Sequence, residues 1–268
     1  MTSVAVIAHV GKTLGGGLGE LRTVLTEFGV DEPLWFEVAK SKQVPDVCRD
    51  VLKKGADVVF IWGGDGSVQK CIDTLAGTGV PIAILPAGTG NLLAHNMEIP
   101  LDIAEAVKIG LHGERRAIDT GTVNGEHFSI MAGAGLDALM MKDADKGLKD
   151  RVGRAAYLWT GARNLTSSPV RCTVEVEGRR FFKGKMTCIL LGNLAQVMGG
   201  IEVFDDCRPD DGILELGESR VRTDRRSAAA PGSRHRDRPA GRARRSRTSR
   251  AWSASGETAP PCFLPGPA

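Results

Sequence analysis

Long apolar runs are missing from this 268-residue chain. No stretch of about 18 or more apolar residues occurs, so no transmembrane helix is expected. The opening MTSVAVIAHVGK has no basic segment ahead of its short apolar run, so a secretory leader is not expected, and the run reads as a first strand. Paired cysteine motifs are missing too. Cys48, Cys71, Cys172, Cys188, Cys207 and Cys262 contain no CxxC, and no histidine stands at zinc-finger spacing from any two of them. Reduced, mostly buried thiols in a cytoplasmic protein are expected. Aromatic residues are scarce, at 5%, with a single tyrosine. Lysine is absent from Ser219 to Ala268, which holds twelve arginines against three acids and so carries a charge of +9. The formal net charge of +3 therefore leaves −6 on residues 1–218.

Strand and helix patterns alternate through the first part. SVAVIA, PLWFEV, DVVFIW and PIAILP read as strands, and LGELRTVLTEFG, PDVCRDVLKKG and VQKCIDTLAG as the helices between them. Pro45 marks a helix start, and Gly29 and Gly55 mark stops. The strands are continuous apolar runs rather than alternating ones. That texture predicts a parallel sheet covered on both faces.

After about Gly113 the pattern changes. RRAIDTGTVNGEHFSIMAGAG predicts two strands around the Asn124-Gly125 turn. LKDRVGRAAYLWTGARNL predicts an amphipathic helix, and RCTVEVEG, RRFFKGKM, TCILLGN and GILEL predict four short strands. The expected organisation is an α/β nucleotide-binding domain over 1–113, a β-rich second domain over 114–217, and a disordered tail over 218–268.

The chemistry concentrates at two glycine turns. DVVFIW runs straight into Gly-Gly-Asp-Gly-Ser, and in an open α/β sheet ligands sit at the carboxyl ends of strands. Glycine lets a backbone amide approach a phosphate closely, and the following helix start favours an anion. Asp65 would repel phosphate, so it suits a magnesium ion or a reacting hydroxyl. The other reading is a tight turn with Asp65 as helix N-cap, and this stretch alone does not separate the two. One helix and one strand later, ILPAGTGNLLA repeats the arrangement. Two such turns can face one crevice, with Thr89 supplying a hydroxyl and Asn91 an amide to a nucleotide.

GGDGS followed by LPAGTGNLLA resembles the catalytic domain of the diacylglycerol kinase family, in particular the bacterial soluble lipid kinases. RRAIDTGTVNGEHFSIMAGAGLDA, LLGN and RPDDGIL resemble that family's second domain, and the resemblance extends over about residues 1–217. Ser67 stands where the family has Thr, which keeps the hydroxyl. The resemblance implies a Rossmann-like parallel-sheet domain followed by a β-sandwich-like domain, incomplete at its C-terminus. It implies ATP at Gly64, Asp65, Gly66, Ser67, Val68, Gln69 and Lys70, with Thr89 as a second contact and Ser41 as a looser match. It also implies a structural Mg2+ at Asp211, with backbone carbonyls of Arg208 and Ile213. The reaction implied is transfer of the γ-phosphoryl group of ATP to a lipid hydroxyl at a membrane surface, with Asp65 orienting the acceptor or holding metal. Peripheral membrane contact and a homodimer are compatible with it.

Competing motifs are weaker. GKT at Gly11–Thr13 lacks a P-loop's first glycine, since Val6 stands there. GAGLDA at Gly133–Ala138 lacks a second strand and acid at dinucleotide spacing. An NAD kinase is the nearest enzymatic alternative, but PAGTGNLLA has the lipid-kinase form. A second alternative is a catalytically dead nucleotide-binding module whose basic tail meets nucleic acid or membrane; nucleic acid is the less expected partner. In the resembled family a later strand end carries an Asp-Gly-Glu whose Glu is the base, and this sequence contains none. The Arg-rich, Lys-free tail reads as a shifted frame of a GC-rich gene, so impaired turnover is expected.

Overall fold

The computed structural model describes residues 2–135, 170–176, 179–197, 201–202, 204, 207–220, 244–247 and 262–266. They fall into two compact units. The first comprises Met1–Met131, Asn193–Leu214 and Arg247–Ala268; the second comprises Ala132–Gly192 and Glu215–Ser246.

The core of the first unit is a four-stranded sheet. Strands β1 (Val4–His9), β2 (Leu34–Val38), β3 (Val58–Gly63) and β4 (Ile82–Pro86) lie in the order β2-β1-β3-β4. Every neighbouring pair is parallel. All residues of β3 and β4 are buried, as continuous apolar runs require when helices cover both faces. Each fully buried large side chain, such as Phe60, Trp62 or Leu85, contributes about 1.5–3 kcal/mol relative to exposure.

Helices α1 (Gly17–Glu27), α2 (Val44–Lys53), α3 (Asp65–Leu75), α4 (Leu92–Asn96) and α5 (Ile103–His112) complete this layer. Gly29 and Gly55 follow α1 and α2 with φ of 78° and 71°, the left-handed stop that glycine adopts without strain. Helix α3 begins at Asp65, three residues earlier than the apolar pattern suggested. The amides of Ser67 and Val68 both donate to Gly64 O, which starts the helix inside the glycine turn. Cys48 on α2 and Cys71 on α3 are buried thiols with Sγ atoms 3.8 Å apart.

The chain continues through β5 (Glu114–Ile118) into the hairpin β6 (Gly121–Val123) and β7 (Glu126–Phe128). The turn predicted at Asn124-Gly125 is present, with φ of 54° and 82°. The boundary expected near residue 113 falls inside the first unit, because this hairpin packs on α3. There Asp73 Oδ1 accepts from the His127 amide at 2.7 Å, and Lys70 pairs with Glu126 at 3.0 Å.

The second unit contains most of a five-stranded sheet ordered β14-β13-β10-β8, with β9 also on β10. These strands are β8 (Met131–Gly135), β9 (Val170–Val176), β10 (Arg179–Gly192), β13 (Ile213–Arg220) and β14 (Arg244–Arg247). The short strands β11 (Gln196–Val197) and β12 (Ile201–Glu202) pair with each other. Two expected strands, RRFFKGKM and TCILLGN, are one. β10 pairs antiparallel with β9 through its first half and with β13 through its second. No turn-forming pair separates the halves, so the strand continues. Val174, Met186 and Leu216 form its buried cluster. The expected helix at LKDRVGRAAYLWTGARNL lies outside the described residues.

The tail differs from the expectation of uniform disorder. β13 extends to Arg220, β14 lies in it, and β15 (Cys262–Gly266) pairs antiparallel with β5. CFLPG is its most apolar stretch, and its Pro265 is tolerated on an edge strand.

Helix α5 approaches the sheet closely at Gly110. A Cβ there would lie 2.5 Å from Phe60 Cε1 and 2.7 Å from Ala83 Cβ. Gly110→Ala is therefore expected to destabilise the protein by about 1–3 kcal/mol in urea unfolding. Gly19, in α1 with open space around it, is the control, and Gly19→Ala is expected to stabilise by about 0.5–1 kcal/mol.

Candidate active site

The carboxyl ends of all four parallel strands lie at one edge of the first unit. The order β2-β1-β3-β4 reverses direction beside β1, the arrangement in which α/β sheets open a crevice for ligands. β3 ends in Gly63-Gly64 and β4 in Pro86-Ala87-Gly88, and Ala87 N continues the ladder by donating to Gly63 O at 3.0 Å. The two turns then touch through their backbones. A Cβ on Gly88 would lie 2.4 Å from Gly64 Cα. The two motifs, 24 positions apart in sequence, form one surface.

Asp65 joins the two turns. Its Oδ1 accepts from Leu92 N, the first residue of α4, at 2.5 Å. Its Oδ2 lies where a Cβ on Gly90 would approach to 2.7 Å. Asp65 therefore does not cap its own helix. It spans to the second turn, with one carboxylate oxygen holding the loop and the other at Gly90.

Asn91 is buried and left-handed, with φ of 46°. Its amide group donates to Pro86 O and Gly88 O, and its Oδ1 accepts from Gly88 N at 2.9 Å. Both amide hydrogens shape the turn, so this side chain builds the loop rather than reaching outward. Thr89 is exposed at the loop tip. Ser67 is buried, and its hydroxyl lies 3.0 Å from that of Ser41 in the short 3-10 turn after β2. The looser sequence match at Ser41 thus lies beside the first glycine turn.

The remaining residues of the first motif divide by helix face. Gly64 and Gly66 lie in the opening turn, with Gly66 exposed. Val68 packs in the core and offers only its backbone. Gln69 donates to His127 O, and Lys70 pairs with Glu126, so both side chains are turned to the hairpin. His127 is held by Thr120 and Asp73. Burial lowers its pKa, and Asp73 opposes that shift.

A second polar cluster surrounds RPDDGIL. Asp119, between β5 and β6, accepts from Gly212 N at 2.6 Å through Oδ2, and its own amide donates to Pro209 O. Asn193 Nδ2 donates to Asp119 O and Ser129 O. Asp211 Oδ1 accepts from Ile213 N, and Arg116 pairs with Asp210 at 2.8 Å. That pairing lowers the pKa of Asp210, whereas burial, and then Asp211 and Asp210, raise that of Asp119. Sequence reasoning passed over Asp119. The signal was present in AIDTG, an acid between a strand end and a glycine, as at Asp65.

The donor chemistry of this cluster fits a hard cation. Asp119 and Asp211 supply carboxylates, each accepting from one backbone amide, and the family resemblance adds the backbone carbonyls of Arg208 and Ile213 as oxygen ligands. No group of three or more His, Cys, Asp or Glu side chains gathers around one point among the described residues. A cation here would therefore depend on those carbonyls and on water.

The sheet, its crossovers and the paired glycine turns define a Rossmann-like α/β unit. Residues 11–123 match the family model of the diacylglycerol kinase catalytic domain. It is 31% identical over 171 residues to a protein of Pseudomonas syringae pv. tomato named "Probable lipid kinase YegS-like", covering 63% of this chain and 55% of that one. It is 32% identical over 165 residues to a diacylglycerol kinase of Bacillus subtilis, covering 60% and 54%. The chain thus spans little more than half the length of these relatives. The fold is that of a diacylglycerol kinase crystal structure from Bacillus anthracis, with a TM-score of 0.65, 22% identity, and coverage of 81% of this chain and 75% of that one.

An acid whose folded pKa is raised loses stability as pH rises through that pKa. Without divalent cation, Asp119→Asn is therefore expected to raise the thermal midpoint at neutral pH and to flatten its fall with pH above the ordinary carboxylate range. Magnesium is expected to raise the midpoint of the unmodified protein and to leave the variant unmoved. Calorimetry with and without the ion checks both.

Proposed function

We propose that this chain is an ATP-dependent lipid kinase of the diacylglycerol kinase type, with diacylglycerol or a similar lipid alcohol as acceptor. The observation that carries the reading is the contact between the two glycine turns with Asp65 spanning them, inside the segment that matches the family model. Backbone amides at Gly64 and Gly66, together with the Ser41 and Thr89 hydroxyls and Ser67 Oγ beside Ser41, would hold the nucleotide phosphates. Asn91 would contribute by fixing the second turn, and Gln69 and Lys70 by anchoring α3 to the hairpin. A structural magnesium, held with Asp211, Asp119 and the Arg208 and Ile213 carbonyls, would tie the RPDDGIL loop to the β5–β6 connection.

The reaction forms one bond from the acceptor oxygen to the γ-phosphorus and breaks the bond from that phosphorus to the bridging oxygen, releasing ADP. The acceptor's proton passes to solvent water. Asp65 is the carboxylate at the turn contact, and we assign it the orienting of that hydroxyl. The base that the family resemblance assigns to a later Asp-Gly-Glu is not among these 268 residues.

Transfer of labelled γ-phosphate from ATP into diacylglycerol micelles with magnesium tests the reading. Asp65→Asn is expected to lower the rate about 10²–10⁴-fold while retaining nucleotide binding. Lipid labelling unaffected by the substitution would overturn the role of Asp65. ATP binding with no labelling of any lipid alcohol would favour a nucleotide-binding module without kinase activity.

A further inference from the structure

Two buried thiols lie one helical turn behind the glycine surface. The Cys48 thiol on α2 donates to Cys71 Sγ on α3 at 3.8 Å, and both residues are fully buried. Helices α2 and α3 pack against each other and against the sheet. The buried stripe of α2 is Val44, Cys48 and Val51, and that of α3 includes Ser67, Cys71 and Leu75 at intervals of four. The seam carries a second polar contact. The Ser67 hydroxyl lies 3.0 Å from that of Ser41, in the 3-10 turn that leads into α2. Ser67 and Cys71 stand on one face of α3, about 6 Å apart along its axis. The thiol pair is thus the layer directly behind the hydroxyl pair.

A disulfide requires sulfurs about 2.05 Å apart, so bonding would draw this pair roughly 1.8 Å closer. The two helices do not share that movement equally. Gln69, Lys70 and Asp73 bind α3 to the β6–β7 hairpin. The ion pairs of α2, Asp46 with Arg49 and Asp50 with Lys53, stay within the helix. Closure therefore falls on α2 and on the turn that enters it, and Ser41 moves against Ser67. Burial also selects the oxidant. A small uncharged peroxide reaches the sulfurs through local opening of the seam, whereas oxidised glutathione is too bulky to align with either one.

We propose that Cys48 and Cys71 form a peroxide-sensitive modification site whose disulfide weakens nucleotide binding at the glycine turns. One thiol sulfur attacks a peroxide oxygen, the O–O bond breaks, and water leaves a sulfenic acid. The second sulfur attacks the first, the S–O bond breaks, and a second water departs with the remaining thiol proton. Two thiols are oxidised by two electrons and hydrogen peroxide is reduced to two waters. The effect on binding rests on the nucleotide reading of the glycine turns, since it acts through the Ser41 and Ser67 hydroxyls.

The test treats the reduced 268-residue chain with hydrogen peroxide, digests it without reductant and maps the peptides by mass spectrometry. A peptide joining Cys48 to Cys71 is expected, and is expected to be absent when oxidised glutathione replaces peroxide. ATP affinity with magnesium, measured by calorimetry, is expected to fall about tenfold, the equivalent of one hydrogen bond to a charged group. Dithiothreitol is expected to restore it. Cys48→Ala and Cys71→Ala are each expected to keep their ATP affinity in peroxide, which separates this bond from oxidation of the more exposed Cys172 and Cys207. Oxidation of Cys172 and Cys207 with Cys48 and Cys71 unjoined overturns the site. A joined pair with unchanged ATP affinity, or an equal loss in both alanine variants, overturns its effect on binding. Equal joining by oxidised glutathione overturns the choice of oxidant. A reduced chain that binds no ATP sinks the nucleotide reading instead, and the peptide map still decides the bond.

Discussion

The architecture of the candidate site depends on one contact, the backbone of Gly64 against the backbone of Gly88. Neither position can carry a side chain without driving the ends of β3 and β4 apart, since a Cβ on Gly88 would lie 2.4 Å from the opposite Cα. With the turns in contact, Asp65 reaches across to the Leu92 amide, and Asn91 in its left-handed conformation ties Pro86 and Gly88 into a closed loop. The result is a glycine surface at the carboxyl edge of the sheet, with its backbone amides fixed by these contacts.

Helix α3 divides its labour along its length. Its first turn belongs to the glycine surface. Val68, Cys71, Ile72 and Leu75 face the core. Gln69, Lys70 and Asp73 hold the β6–β7 hairpin. A helix anchored on two faces cannot tilt without breaking either the core or the hairpin contacts. Residues of the GGDGSVQK motif that make no outward contact therefore still constrain where Asp65 stands.

Much of this was legible in the sequence, for physical reasons that differ by element. The parallel strands were readable because strands buried on both faces become continuous apolar runs, as DVVFIW and PIAILP are. The meeting of the two turns was readable because glycine at a strand end is costly unless close approach requires it. The role of Asn91 was not. Its residue type permits either a ligand contact or a bond to its own loop, and only the left-handed backbone at φ of 46° decides between them. The side-chain partners of Gln69 and Lys70 were not legible either, because helix face relative to a hairpin 56–58 positions later is a tertiary fact. The merging of two expected strands into β10 reflects a pattern that gives strand character but not the partner that changes midway.

Charge placement around RPDDGIL carries the argument one step further. Four charged groups meet there, and they are not neutralised evenly. Arg116 is committed to Asp210, which holds that carboxyl below its ordinary range. Asp119 is left to the Gly212 amide, half-buried, with Asp210 and Asp211 both acting against its ionisation. A fold selected only for stability would gain by replacing Asp119 with a neutral residue, because a hydrogen bond to one backbone amide offsets only part of the cost of burying a charge. Keeping the acid makes physical sense when a cation shares the site. The same reasoning separates the two carboxylates of the neighbouring loop: Asp210 holds the arginine, whereas Asp211 is exposed and accepts from the Ile213 amide.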